Sequence, residues 1–514
     1  MTTQSFYLGV DIGTTSTKSV LFNKQGEVIN QHTINYPLHT PNQLVAEQNP
    51  SEILEAVLGT IRETVRKSEL KEEELSFVSF SSAMHSLIAV DENDELLTNS
   101  ITWADTRSAE YAKRIKEEQN GHEIYLRTGT PIHAMSPLSK LVWMKEEKPE
   151  IFAKAKKFIS IKEYVFHKLF GEYIIDHSIA SATGLFNLNE LNWDAGALEV
   201  AGINSDQLSD IVPTTYSIKG IKEEYQPYLG INKQTPFIVG ASDGVLSNLG
   251  VNAIDPGVIA VTIGTSGAIR SVTNEPKTDP KGRIFCYALT EDHWVIGGPV
   301  NNGGMVLRWL RDEFAAAEVE TAKRLGIDPY DVLTKIATNV PAGSDGLVFH
   351  PFLTGERAPL WNSSARGSFF GLSIHHEKQH MVRAVLEGII YNLYTVLLAL
   401  EELTGEPQRI QATGGFARSE VWRQMMTDIF DKPVVVPESY ESSCLGAIVL
   451  GMYATGEIED FSIVSKMIGH THTHEPVPET SGVYRELLPI YIRLSRLLEE
   501  EYGSIAEFQR KHIK

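Results

Sequence analysis

The residues Asp11-Ile12-Gly13-Thr14-Thr15 return in weakened form as Thr262-Ile263-Gly264-Thr265-Ser266, about half of the 514-residue chain later. Each copy lies between apolar runs, so each reads as a strand, a Gly-Thr turn and a returning strand. Five residues alone leave duplication and coincidence both open. The echo nevertheless favours a division near residue 253, where Asn252-Ala253-Ile254-Asp255-Pro256-Gly257 reads as a turn. Two such turns facing each other would offer backbone N–H groups and hydroxyls to a polyphosphate from both sides. Asp11, present only in the first copy, could hold Mg²⁺ through water. The dipeptide Gly-Lys never occurs, so there is no Walker A loop and any ATP site must be built another way.

Composition narrows the class. With 42% hydrophobic and 22% charged residues the chain reads as globular, and its length suggests two to four domains. There are 46 Lys and Arg against 66 Asp and Glu, a net charge of -20, which argues against a nucleic-acid partner. Only Cys286 and Cys444 are present, which excludes a disulfide scaffold or a Cys-rich zinc site and fits a reducing cytoplasm. The first residues lack the pattern of a signal peptide, and no uncharged apolar run of membrane-spanning length stands out. The expectation is a cytoplasmic α/β enzyme without a membrane partner. Asn49-Pro50 marks a helix start, with Ile53, Val57, Leu58, Ile61 and Val65 at helical spacing. A second, apolar helix is expected over about 380–403, with Gly405 to end it.

Several motifs compete. His376-Glu377-Lys378-Gln379-His380 matches a zinc-protease pattern, but the first His falls at or before a helix start. Gly240-Ala241-Ser242-Asp243-Gly244 follows an apolar strand and matches a nucleophile elbow, which would make Ser242 the nucleophile of a hydrolase. The same run sets Asp243 at a strand's carboxyl end, where it could serve as a general base. A third reading is that Ser242 or Asp243 merely caps the following helix. Gly414-Gly415 after a strand, and Gly303-Gly304 before a helix, are places where a ligand could approach backbone.

Two longer patterns carry a family resemblance. One is Met135-Ser136-Pro137-Leu138-Ser139-Lys140-Leu141-Val142-Trp143-Met144-Lys145-Glu146-Glu147. The other is Gly367-Ser368-Phe369-Phe370-Gly371-Leu372, seven residues, then His380-Met381-Val382-Arg383-Ala384-Val385-Leu386-Glu387. Together with the turns they make the chain resemble the FGGY family of carbohydrate kinases, from Asp11 to about Gly451. The resemblance implies an α/β fold of two ribonuclease-H-like domains, of the actin, hexokinase and Hsp70 type, around an ATP cleft. The expected division is 1–252 for the sugar, 253–480 for the nucleotide and 481–514 as a helical extension.

It also implies residue roles. Asp243 would be the catalytic base and contact the substrate. Met84, His85, Trp103 and Asp105 would line the sugar pocket, and Arg357 is a candidate for a substrate carboxylate. Thr14, Thr15, Lys18, Gly264 and Thr265 would contact phosphates, and Gly303, Gly414 and Gly415 the nucleotide. Asp11 and Asp243 would serve Mg²⁺. The runs Ser82–Leu87 and Gly355–Trp361 are most similar to members that act on gluconate, with xylulose kinases next; Met84-His85 disfavours glycerol. ATP and Mg²⁺ are the implied cofactors, a sugar acid or polyol the partner, and a homodimer is compatible. An actin- or Hsp70-like ATPase without a sugar substrate is the remaining alternative, against which the Met84, His85, Trp103 and Asp105 cluster speaks.

Overall fold

A computed structural model describes residues 5–437 and 441–512. The chain forms two compact units. The first takes Met1–Ile254, Val272–Ile296 and Glu441–Gly469; the second takes Asp255–Ser271, Gly297–Tyr440 and His470–Lys514.

The first unit is built on a hairpin, Phe6–Ile12 with Ser16–Asn23. Strand Leu75–Ser82 adds to it in parallel, Phe237–Ser242 adds next in parallel, and Ser217–Ile218 closes that side antiparallel. Period-two alternation decides what each face of the first strand meets. Leu8, Val10 and Ile12 share one apolar core with Ile53, Val57 and Ile61 of the helix Pro50–Lys67. That helix begins as its sequence requires: the Asn49 side chain accepts from the Ser51 N–H at 3.0 Å. Tyr7 belongs to the opposite core with Ala447 and Ile448 of the helix Ser442–Ala454. Gly9 comes next on that face, and a Cβ there would lie 2.6 Å from the Cys444 carbonyl. Asp11 follows.

The second unit repeats the plan. Its hairpin is Val258–Ile263 with Gly267–Thr273. Arg409–Thr413 and Val434–Pro437 add in parallel, and Thr471–His474 closes antiparallel. Five strands therefore recur in the same order and the same directions, which is far more than a five-residue echo. The turns differ by one residue: Ile12 pairs with Thr17, whereas Ile263 pairs with Gly267.

The long helix of the second unit runs Lys378–Thr404, close to the expected span. It has the length and apolarity of a membrane span, but most of it is buried inside the unit. In its first half Arg383 and Glu387 form an ion pair of 2.7 Å, and Glu387 also accepts from Tyr484, Ser344 and the Gly343 N–H. A core helix therefore accounts for its composition. Cys286 and Cys444 are buried and unbridged.

In the first unit, helices Asp243–Gly250 and Ser442–Ala454 cross on glycines. A Cβ at Gly250 would sit 1.9 Å from the Ser442 carbonyl, and one at Gly446 2.0 Å from the Leu246 carbonyl. Backbone cannot yield as a side chain can, so the clash outweighs the gain in helix propensity of about 1 kcal/mol. Gly446→Ala should therefore destabilise by about 1–3 kcal/mol, the usual cost of overpacking, read as a lower urea midpoint with unchanged slope.

Candidate active site

Strand Phe237–Ser242 ends where helix Asp243–Gly250 starts, which places Asp243 at a strand-to-helix junction. Asp243 is half-buried, and one carboxylate oxygen accepts from the Gly244 N–H at 2.7 Å. Its neighbour Ser242 is 0% exposed. The Ser242 hydroxyl accepts from Ser178 at 3.1 Å, and the Ser242 N–H donates to the Ser178 hydroxyl, also at 3.1 Å. A nucleophile elbow must present its serine to substrate; here the serine is sealed inside and only the acid is partly exposed. This removes the hydrolase reading of the motif.

The first hairpin's turn gathers several of the sequence candidates. Gly13 N–H donates to the Ser16 carbonyl at 2.9 Å, so the turn is closed on itself. Thr14 is tied on two sides: Trp103 donates its indole N–H to the Thr14 hydroxyl at 3.0 Å, and Gln48 donates to the Thr14 carbonyl at 2.5 Å. Thr15 is exposed. Asp11 accepts from the Ser81 hydroxyl at 2.6 Å. Burial raises its pKa, with Ser81 and the Lys18 ammonium acting in the opposite sense. Lys18 is paired with Glu441 at 2.9 Å, at the start of the helix Ser442–Ala454. Neither Gln48 nor Glu441 could be assigned to this turn from sequence, since no local pattern points across such separations.

His85 and Asp105 are nearly fully buried. His85 adopts a left-handed backbone, φ 69°, and its Nδ1 lies 2.7 Å from the Ala182 carbonyl, so Nδ1 carries a proton. Asp105 accepts from the Ala46 N–H at 3.0 Å and from Arg107, whose guanidinium also reaches Glu47 at 2.5 Å. The Asp105 carboxylate thus holds the loop that carries Ala46 and Glu47. Met84 is half-buried beside His85. Lys140, from the first family pattern, is 0% exposed and donates to the His85 carbonyl at 2.6 Å and the Ile101 carbonyl at 3.3 Å. Burial lowers its pKa to about 7. It lies beneath the backbone of the candidate pocket rather than in reach of a substrate.

In the second unit the hairpin turn and a helix start are pressed together. Gly304 N–H donates to the Gly264 carbonyl at 2.7 Å, and Met305 N–H to the Thr265 carbonyl at 3.0 Å. A Cβ at Gly303 would come within 2.5 Å of Ser266 backbone, so glycine is obligatory there. Gly414, at φ +98°, packs against the Ile263 carbonyl with a Cβ distance of 2.5 Å. Gly264 and Gly415, by contrast, are exposed and have nothing within 4 Å of a Cβ position. Gly303 and Gly414 are required by packing; Gly264 spends its own N–H on the Ser266 carbonyl at 2.9 Å, so the open space at this turn lies beside its Cα and at Gly415.

The Asn301-Asn302 turn before that helix is held by Glu356. This buried carboxylate accepts from Asn301 N–H at 2.5 Å, Arg357 N–H at 2.8 Å, Asn302 at 2.9 Å and Asn392 at 2.7 Å. Arg357 donates to the Asn301 side chain at 2.7 Å and the Val300 carbonyl at 3.2 Å. Its guanidinium therefore braces the same turn. The zinc pattern dissolves: His380 Nδ1 accepts from the Glu377 N–H at 3.0 Å, while His376, ahead of the helix, accepts from the Ser373 N–H at 2.9 Å. No group of three His, Cys, Asp or Glu residues able to hold a metal occurs among the described residues.

A duplicated α/β frame with Gly-Thr turns and an acid at a strand end is that of a phosphoryl-transfer enzyme. The N-terminal domain of the FGGY family of carbohydrate kinases matches residues 6–250, and its C-terminal domain matches residues 259–455. The chain is 64% identical to a gluconokinase of Bacillus subtilis (strain 168) over 98% of each chain. Among solved structures, a gluconate kinase from Lactobacillus acidophilus matches with a TM-score of 0.92 at 40% identity, over 98% of this chain and 100% of that one. A ligand-bound xylulose kinase from the same organism gives the same values. The chain belongs to the FGGY family of carbohydrate kinases, enzymes that use ATP. The hydrolase and sugar-free ATPase alternatives are thereby set aside.

The glycines of the second unit give a direct check. Gly264→Ala has room, so its thermal midpoint should stay near wild type while KM for ATP rises. Gly303→Ala must move backbone, so it should lose stability by about 1–3 kcal/mol as well as ATP affinity. Equal thermal losses in the two variants would contradict this division of labour.

Proposed function

We propose that this chain transfers the γ-phosphoryl group of ATP to the primary hydroxyl of D-gluconate, giving 6-phospho-D-gluconate and ADP. The observation that carries the substrate assignment is the full-length 64% identity to a gluconokinase. Xylulose is the second reading, favoured by the equally similar structure named a xylulose kinase.

In this mechanism the gluconate oxygen attacks the γ-phosphorus as the bond to the bridging oxygen of ADP breaks, and the hydroxyl proton passes to Asp243. Asp243 suits the task because it is partly exposed at a rigid junction, with one oxygen already fixed by the Gly244 N–H. The two Gly-Thr turns would present N–H groups and hydroxyls to the phosphates, and Gly414-Gly415 would admit the nucleotide. Such transfers depend on positioning and charge stabilisation rather than covalent chemistry. Met84, His85 and Trp103 would line the sugar site, with Asp105 holding the loop behind it. Arg357 is the candidate for the gluconate carboxylate as well as a brace for Asn301.

Mg²⁺ bound to the phosphates would supply charge neutralisation. The residues fit it: Asp11 and Asp243 offer carboxylate oxygens suited to a hydrated Mg²⁺, and no all-protein metal cluster is needed. Burial of Asp11 makes its charge costly alone and less so beside a cation.

An ATP-consumption assay with gluconate, xylulose, ribulose, glycerol and a no-sugar control tests the substrate; highest kcat/KM on xylulose would overturn the assignment. Asp243→Asn should lower kcat by roughly 10²–10⁴, with KM for ATP little changed. Ser242→Ala should keep most turnover, because only a buried hydroxyl contact with Ser178 is lost. Arg357→Ala should raise KM for gluconate far more than for xylulose if the guanidinium meets the carboxylate; equal losses would leave it a brace only.

A further inference from the structure

The strand that delivers Asp243 is irregular just before it. Against strand Leu75–Ser82, Ile238 pairs with Ser79 and Ala241 with Ser81, so Val239 and Gly240 together oppose one residue. This is a β-bulge, a device that re-aims the side chains that follow. Gly240 makes it sterically feasible: its φ is +71°, and a Cβ would fall 1.7 Å from the Phe80 carbonyl.

A bulge in a buried strand frees backbone groups that must find partners elsewhere. The N–H groups do so on a neighbouring segment: Val239 donates to the Tyr216 carbonyl and Gly240 to the Thr214 carbonyl, both at 3.0 Å. The carbonyls of Val239 and Ala241 turn to one ammonium. Lys162 Nζ lies 3.1 Å from the first and 3.3 Å from the second. Its third neighbour is the Asp176 carboxylate at 2.6 Å. Lys162 is 2% exposed and Asp176 0%, so each buried charge is offset by the other and by the polar groups around the pair. The other Asp176 oxygen accepts from the N–H groups of Ser178 and Ile179, each at 3.0 Å, which fixes the helix His177–Ser181. Ser178 in turn holds Ser242, the residue before Asp243.

We propose that Lys162 is a positioning residue of the phosphoryl-transfer site, holding the bulge that aims Asp243. It touches no substrate. It acts by donating to the carbonyl of Val239 within the bulge and to that of Ala241 just after it, and Asp176 keeps its charge tolerable in the interior. The inference rests on the reading of Asp243 as the base. A misplacement of about 1 Å at a reacting group can cost roughly 10²-fold in rate.

The test separates aim from stability. Lys162→Met alone leaves Asp176 buried without its counter-ion and should lower the thermal midpoint severely. The double variant K162M/D176N removes both charges, and Asn keeps the helix cap, so it should fold, with a midpoint below wild type because two buried carbonyls lose a donor but well above that of Lys162→Met. Its kcat with gluconate and MgATP should still fall by about 10–100-fold, with KM for ATP and for gluconate within about twofold of wild type. K162Q/D176N, whose amide can still donate toward the carbonyls, should fold as well and recover part of that loss. Near-wild-type kcat in folded K162M/D176N would overturn the proposal, as would no recovery in K162Q/D176N. Asp243→Asn is measured alongside. Full turnover in that variant would mean that the base is misassigned, whereas an inactive Asp243→Asn beside an active K162M/D176N would refute the positioning role alone.

Discussion

Two backbones in contact at glycine set the geometry of the first unit. Helices Asp243–Gly250 and Ser442–Ala454 approach so closely that Gly250 and Gly446 leave no room for a Cβ. Each helix begins at a residue of the candidate site: one at Asp243, the other just after Glu441, which pairs with Lys18. Gly9 extends the same device to the first strand, letting the second helix lie over it beside Asp11. Charged groups from three distant stretches of chain are thus located by small residues, because close packing of backbone tolerates little error, and the Lys18–Glu441 pair adds to that placement.

The same frame, used twice, has been specialised in opposite ways. In the first unit the chain after strand Leu75–Ser82 donates Ala83 N–H to the Ile12 carbonyl at 2.7 Å. In the second, the corresponding chain after Arg409–Thr413 presses Gly414 against the Ile263 carbonyl. One copy carries acids, Asp11 and Asp243, and a tryptophan tied to its turn. The other carries glycines that expose backbone at its turn. A carbohydrate kinase needs both kinds of surface: a place where a hydroxyl can be deprotonated and a place where anionic phosphates meet N–H dipoles.

Much of this was legible in the sequence where a signal is local. The strand–turn–strand echo, the Asn49-Pro50 helix start and the span near 380–403 all follow from short-range chemistry, and the family resemblance supplied the fold. Burial was not legible. The motif around Ser242 reads equally well for a nucleophile and for a base, and only the burial of Ser242 against Ser178 separates the two. Arg357 stands beside Glu356 in sequence, yet that both also hold the Asn301-Asn302 turn could not be read there. Lys162, Gln48 and Glu441 have no local signature for the contacts they make here, because those partners lie far away in sequence.

Buried lysines show how the interior serves the surface here. Lys140 and Lys162 are both almost inaccessible, and each donates to two main-chain carbonyls beneath a candidate site residue. A lysine in such a position is costly, and burial lowers the pKa of each. An apolar residue would fill the space with less penalty, but it could not donate to those carbonyls. Each lysine serves backbone in an irregular conformation, His85 at positive φ and the bulge at Val239-Gly240. The physical logic is that a site needing backbone in an unusual conformation must supply donors from behind, and a lysine's long stem lets a single ammonium reach two carbonyls at once.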